Sequence, residues 1–261
     1  VEGLSIAERV PQAEAAVGDG VVALVLRVLD APTDADIARM AEFEATHGVR
    51  LYLQPGGPDT VAPLRPDADG GRPLRYRIEA ADAAIEFEPT DFIQINGRLN
   101  EAMIARAIEA LEPRPTDTVL DLFCGLGNFS LPLARQARSV VAVEGDAGLV
   151  RRARANARAN GIANVEFHVA NLFEDVEGLP WTRTACDLVL LDPPRAGARE
   201  ILPLVARSGA RRVVYLSCQS GSLARDAGIL VRDHGFQLGA AGVMDMFPHT
   251  THVEAMAIFD R

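Results

Sequence analysis

Lysine is absent from this chain, and all 26 basic residues are arginine. That bias carries no functional weight by itself, although a guanidinium suits phosphate contacts. Acidic residues outnumber basic ones by 36 to 26, for a formal net charge of -10. The excess excludes a protein that coats nucleic acid through charge alone, because such affinity comes from neutralising phosphates, and leaves room only for a local basic groove. Cysteine is scarce: Cys124, Cys186 and Cys218 lie far apart with no CxxC pair, so neither a disulfide framework nor a structural zinc site is indicated. No run approaches the roughly 20 apolar residues of a membrane span, and Val1-Glu2-Gly3 has neither the basic start nor the apolar middle of a signal peptide. The expectation is a globular, cytoplasmic protein with no membrane partner and no obligate protein partner. The start at Val1 rather than Met adds the expectation of a piece of something longer.

What is present is ample apolar material, 48% of 261 residues, arranged in two patterns. Residues 1–90 read as a small α+β subdomain, a substrate-facing platform without a chemical motif of its own. It has strands at 21–28 and 49–53 around a helix at 34–46, a Pro/Gly/Asp-rich loop over 55–73, and short alternating runs at 74–78 and 84–87. From about Gly97, within a second domain taken as 91–261, helix and strand alternate. Helices are expected at 100–111, 128–137, 147–160, 199–207 and 222–234, with strands at 118–122, 139–143, 165–169, 186–191, 212–216 and 254–259. Apolar strands separated by amphipathic helices imply an α/β fold with a doubly wound, mainly parallel sheet, whose ligands bind beyond the carboxyl ends of the strands.

Those ends carry the polar chemistry. The first is Asp121-Leu122-Phe123-Cys124-Gly125-Leu126-Gly127-Asn128, whose glycines allow close backbone approach without completing a dinucleotide fingerprint. The second ends in Glu144, suited to a ribose diol. The third is followed by Asn171, suited to an adenine edge, and the fourth ends in Asp192-Pro193-Pro194-Arg195. In this order they describe a pocket for S-adenosylmethionine rather than for a nicotinamide. Enzymes that methylate amines place an aromatic residue after Asp-Pro-Pro; Arg195 stands there instead and weakens that reading. Cys218 ends the strand Val213-Val214-Tyr215-Leu216-Ser217, and Glu254 opens the last strand. A thiol and a carboxylate at one rim can serve as nucleophile and base toward a poorly nucleophilic carbon such as C5 of uracil. Cys124 and Cys186 read as packing residues. His249 and His252 with Glu254 lack a third convincing metal ligand, so no metal is expected; the histidines read as loop-positioning or phosphate-contacting.

These motifs, with Asp91-Phe92-Ile93-Gln94-Ile95-Asn96 and Asp245-Met246-Phe247-Pro248-His249-Thr250-Thr251-His252-Val253-Glu254, resemble the RNA uracil-C5 methyltransferases from about Asp91 to the C-terminus. The resemblance implies a class I, Rossmann-like methyltransferase. It assigns Gln94, Phe123, Asn128, Glu144, Asn171 and Asp192 to S-adenosylmethionine, Cys218 to the nucleophile and Glu254 to the base. The segments 121–132, 179–181 and 196–198 are most similar to the branch that modifies bacterial 23S ribosomal RNA, which implies that RNA as partner. That branch carries an N-terminal TRAM domain and a cysteine-ligated iron–sulfur cluster; no cysteine precedes Cys124 here, so either a cluster belongs to a longer protein of which this chain is the catalytic part, or the lineage has lost both features. The family follows its nucleophile with Asn-Pro and a Thr further on, where this chain has Gln219 and Ser222. Alternatives are a transfer RNA uracil methyltransferase, an amino-directed methyltransferase and a non-catalytic RNA-binding module.

Overall fold

The computed structural model describes residues 1–65, 73–246, 248–250 and 252–261. The chain divides into two compact units, residues 1–77 with 86–95, and residues 78–85 with 96–261.

In the first unit β1 (Gln12–Gly18), β2 (Val21–Arg27), β3 (Val49–Gln54) and β4 (Ala62–Pro63) form a sheet in that order. β2 and β3 are parallel, so the chain crosses over between them through α1 (Asp34–His47). Thr33 and Asp36 cap the start of α1 reciprocally, which satisfies two otherwise orphaned backbone donors. Ile6, Leu26, Val28, Met40 and Leu51 are the buried residues beneath. β1 was not expected from the sequence: its run of Gln, Ala and Glu is largely exposed and lacks strong β-formers. The readable signal was Asp19-Gly20, the two-residue turn that joins β1 to β2 in antiparallel register. β5 (Leu74–Ile78) pairs with β6 (Ala83–Phe87) in a two-stranded ribbon. Part of the loop expected over 55–73, residues 66–72, lies outside the described residues.

After its residues 78–85, the second unit continues with α2 (Gly97–Leu111), capped by the Asn96 side chain. There follow β7 (Thr118–Leu122), α3 (Ser130–Ala134), β8 (Ser139–Glu144), α4 (Ala147–Ala159), β9 (Val165–Val169) and β10 (Leu188–Leu191). The chain ends with α5 (Leu202–Arg207), β11 (Arg212–Ser217), α6 (Ser220–Arg232), β12 (Gln237–Met244) and β13 (Glu254–Asp260). Seven strands form one sheet in the order β12-β13-β11-β10-β7-β8-β9. β7 to β11 are mutually parallel, and β13 runs antiparallel to both β11 and β12. β7, β10 and the middle of β8 and β11 are buried on both faces, which explains their nearly unbroken apolar runs. Fully burying side chains such as Leu120, Val189 and Phe259 contributes about 1.5–3 kcal/mol each. The strand order reverses between β7 and β10, the kind of switch point beyond whose strand carboxyl ends open α/β sheets bind their ligands.

Two expectations are corrected here. β12 was missed because Gln-Leu-Gly-Ala-Ala-Gly-Val-Met has no alternation; it is an almost wholly exposed edge strand, bulged between Leu238 and Ala240. α6 runs from Ser220 to Arg232, so it starts two residues earlier than the helix expected at 222–234, with Gln219 at its N-cap. Among the described residues no helix is long and apolar enough to cross a membrane.

Candidate active site

Five successive strand ends bring polar groups to one rim of the second unit. Beyond β7 the backbone turns sharply: the N–H groups of Phe123 and Cys124 both donate to the Val143 carbonyl, at 2.9 and 3.1 Å, and Phe123 takes a φ of 65°. That left-handed conformation costs a side-chain-bearing residue about 1–2 kcal/mol. It is held by the two bonds to β8. Gly125, also left-handed, donates its N–H to Glu144 Oε2 at 3.1 Å. Glu144 Oε1 accepts from the N–H groups of Gly145 and Asp146, at 2.7 and 3.0 Å. Glu144 thus ties the loops after β7 and β8 together, and its Oε2 keeps a lone pair for an outside donor.

Asn128 and Asn100 exchange carboxamide hydrogen bonds of 2.9 and 3.0 Å, fixing α2 against the glycine loop. Asn171, exposed after β9, accepts from the Phe173 N–H at 3.1 Å and donates to Glu174 at 2.8 Å. This local turn presents Phe173, whose ring lies 5.7 Å from that of Phe123. Phe173 escaped the sequence reading; a large apolar residue two positions after a strand-end Asn was the available signal. Gln94 is half-buried and belongs to the first unit, whereas the other candidate residues belong to the second.

Asp121, fully buried, accepts from Ser130 Oγ at 2.5 Å through Oδ2, while its Oδ1 has no hydrogen-bond partner among the described residues. Burial pushes its pKa up to about 7; the Ser130 bond opposes this and the Glu144 charge adds to it. Asp192, half-buried at the end of β10, is also pushed up to about 7, by burial first and then by Glu254 and Asp121. Glu254 is buried, with its pKa raised by that burial.

Cys218 follows the last paired residue of β11. The register aligns Ser217 with Ala255 of β13, so the next residues outward on the two antiparallel strands are Cys218 and Glu254. Of the three cysteines, Cys218 alone is partly accessible. Its thiol is pushed up by burial first and then by Glu254, with Asp192 adding to the rise and Arg195 pulling it down. By contrast the buried Cys124 is raised well above the ordinary thiol range, and burial pushes Cys186 up to about 11. Around the thiol, Ser217 Oγ accepts from the Gln219 N–H at 3.1 Å, and Ser222 Oγ donates to the Gln219 carbonyl at 2.9 Å. In the expected 245–254 motif, His249 and His252 are exposed, and Phe247 and Thr251 lie outside the described residues.

Residues 74–261 match the profile of the family described as tRNA (Uracil-5-)-methyltransferase. The 23S rRNA (uracil(1939)-C(5))-methyltransferase RlmD of Stenotrophomonas maltophilia strain K279a is 53% identical over 262 residues, covering all of this chain and 58% of that protein. The protein of the same name from Methylococcus capsulatus is 51% identical over 261 residues, with the same shares. The chain therefore spans 58% of the length of these curated relatives. The crystal structure of Pyrococcus abyssi tRNA (uracil-54, C5)-methyltransferase in complex with S-adenosyl-L-homocysteine is similar with a TM-score of 0.67 and 22% identity, over 92% of this chain and 56% of that one. At that identity the likeness is one of fold, the class I, Rossmann-like architecture that the family resemblance implied. By its sequence, the chain belongs to the tRNA (Uracil-5-)-methyltransferase family.

Proposed function

We propose that this protein transfers a methyl group from S-adenosylmethionine to C5 of a uridine in structured RNA, through a covalent intermediate on Cys218. The observation that carries the reading is the register of β11 and β13, which sets Cys218 beside Glu254 at the ligand-binding rim. The residues at the switch point fit a sulfonium cation bearing an adenosine. Asp121 Oδ1 has no partner among the described residues, Asp121 and Asp192 are acids with raised pKa values that a cation would relieve, and Glu144 has capacity left for a diol. The Phe123–Phe173 pair offers an aromatic wall to a purine. Gln94, Asn128 and Asn171 are assigned to the same ligand by the family resemblance.

When bound, the donor supplies an electrophilic methyl group to C5. The chain's own part begins with loss of the Cys218 proton, favoured by the Arg195 charge and by the start of α6. The thiolate adds to C6 of the uracil, which must leave its stack to reach the rim, and the electron pair of the C5–C6 bond moves toward C5 and O4. After C5 has gained the methyl group, Glu254 takes the C5 proton and the thiolate departs as the double bond re-forms. A burial-raised carboxylate is the stronger base for that step.

Relatives about half identical over the whole chain are named for 23S ribosomal RNA, which favours that RNA over transfer RNA as substrate. Methyl label from the donor, incubated with total RNA lacking the modification and the full-length protein, is expected at C5 of a 23S rRNA uridine. Label on a base amine, or on transfer RNA alone, would reject the assignment.

A further inference from the structure

The segment after Asp192 is fastened to α6 by one buried carboxylate. Asp226 has no exposed surface, and three elements supply it with donors. Tyr215 Oη of β11 donates at 2.6 Å, the Ala198 N–H at 2.8 Å, and Arg225 Nε of α6 at 2.8 Å. Arg225 also reaches across to donate to the Ala196 carbonyl at 2.8 Å. Between these bonds Gly197 turns with a φ of +86°, and a Cβ there would fall 2.5 Å from both Arg225 Nη2 and Asp226 Oδ2, so the segment lies flat against the carboxylate. An acid buried this way is seldom retained for stability, since a well-packed apolar group can do as well. What it supplies is a fixed geometry among the groups it joins. Those groups frame the thiol: Tyr215 stands three residues before Cys218, α6 opens two residues after it, and the fastened segment carries Arg195.

We infer that Asp226 is a positioning residue, clamping the 195–198 segment to β11 and α6 so that the Arg195 guanidinium is held toward Cys218. The inference rests on the reading of Cys218 as nucleophile. The charged groups acting on the thiol are Glu254 from β13 and Asp192 and Arg195 from the segment after β10. Arg195 is the cation among them and is itself exposed, so its place depends on the backbone beneath it.

The test is the pH dependence of Cys218 alkylation by iodoacetamide in the full-length protein without RNA, with the modified cysteine mapped by mass spectrometry. Tyr215→Phe removes one donor and preserves ring volume; Asp226→Asn weakens the acceptor itself. Each should move the profile upward by about half a pH unit, a roughly threefold loss of thiolate at neutral pH, and neither should move it further in an Arg195→Ala background. An unchanged profile in folded Tyr215→Phe protein would overturn the inference, as would an equal shift in the absence of Arg195. A lower unfolding temperature with an unmoved profile would assign Asp226 to stability alone. Retained methylation by Cys218→Ala would instead remove the nucleophile reading, and the alkylation result would still report on the clamp.

Discussion

At the amino ends of the parallel strands, Asp117 makes a two-pronged contact with Arg211 at 2.8 and 3.1 Å. Arg212 lies between Asp260 and Glu112 at 2.6 and 2.9 Å, and Asp187 accepts the Thr118 N–H. At the opposite rim of the sheet, the pKa values of Asp121, Asp192 and Glu254 are all raised, by burial first, with Glu254 and Asp121 adding to the rise at Asp192. The Arg211 bond leads the causes that hold Asp117 below the ordinary carboxylate range, against the opposing effect of burial. One sheet therefore has an end whose charges are neutralised within the protein and an end whose acids, under the proposed function, would meet a cationic donor. The first contributes to stability, and the proposal gives the second to binding and chemistry.

The largest break in this comparison is Cys218→Ala. Under the proposed function, loss of this thiol should lower turnover by at least about three orders of magnitude, while calorimetry should show donor affinity unchanged. Next comes pH. Asp121 and Asp192, raised to about 7, favour the neutral form in the folded protein, so their contribution to stability is full below about pH 4 and declines as pH rises toward 7. A cationic donor prefers the ionised acids. Its dissociation constant should therefore fall as pH rises through 7, by up to about tenfold between pH 6 and 8, with proton release on binding; Asp121→Asn should flatten that dependence. Phe173→Ala, which removes one aromatic wall, should weaken donor binding by about 2- to 12-fold in the same titration. At the other end, Arg211→Ala should leave turnover at 25 °C intact. It should cost about 1–2 kcal/mol of stability, discounted for the 35% exposure of the arginine, read as a drop of several degrees in Tm. The Asp117 contribution is present above the ordinary carboxylate pKa and disappears as pH falls through its lowered folded value, so the Arg211→Ala deficit should vanish at strongly acid pH.

The same contrast explains what the sequence revealed. β7 and β9 have the expected limits because Val119, Leu120 and Leu122 make the first mostly apolar and Val165, Phe167 and Val169 alternate with Glu166 and His168 in the second, and the polar residues beyond their carboxyl ends were legible for the same reason. β1 and β12 were not, since an edge strand rich in Ala and Gly relies on pairing with its neighbour rather than on its own pattern. α3 is shorter than expected because the glycine loop takes its first turn. Cys218 and Glu254 could each be placed at a strand end from sequence, but their juxtaposition required the antiparallel direction of β13. The Asn100–Asn128 exchange and the donors around Asp226 join residues 28 and up to 28 positions apart. No local pattern announces such pairs.

The central claim, that Cys218 and Glu254 act in sequence on one uracil, is tested most directly by Glu254→Gln in the full-length protein with S-adenosylmethionine and the substrate RNA. With the base removed, methylated uracil should remain bonded to the thiol. The account predicts an RNA–protein adduct that survives denaturing electrophoresis and maps by mass spectrometry to Cys218. Normal methylation without an adduct, or an adduct at another residue, would contradict it.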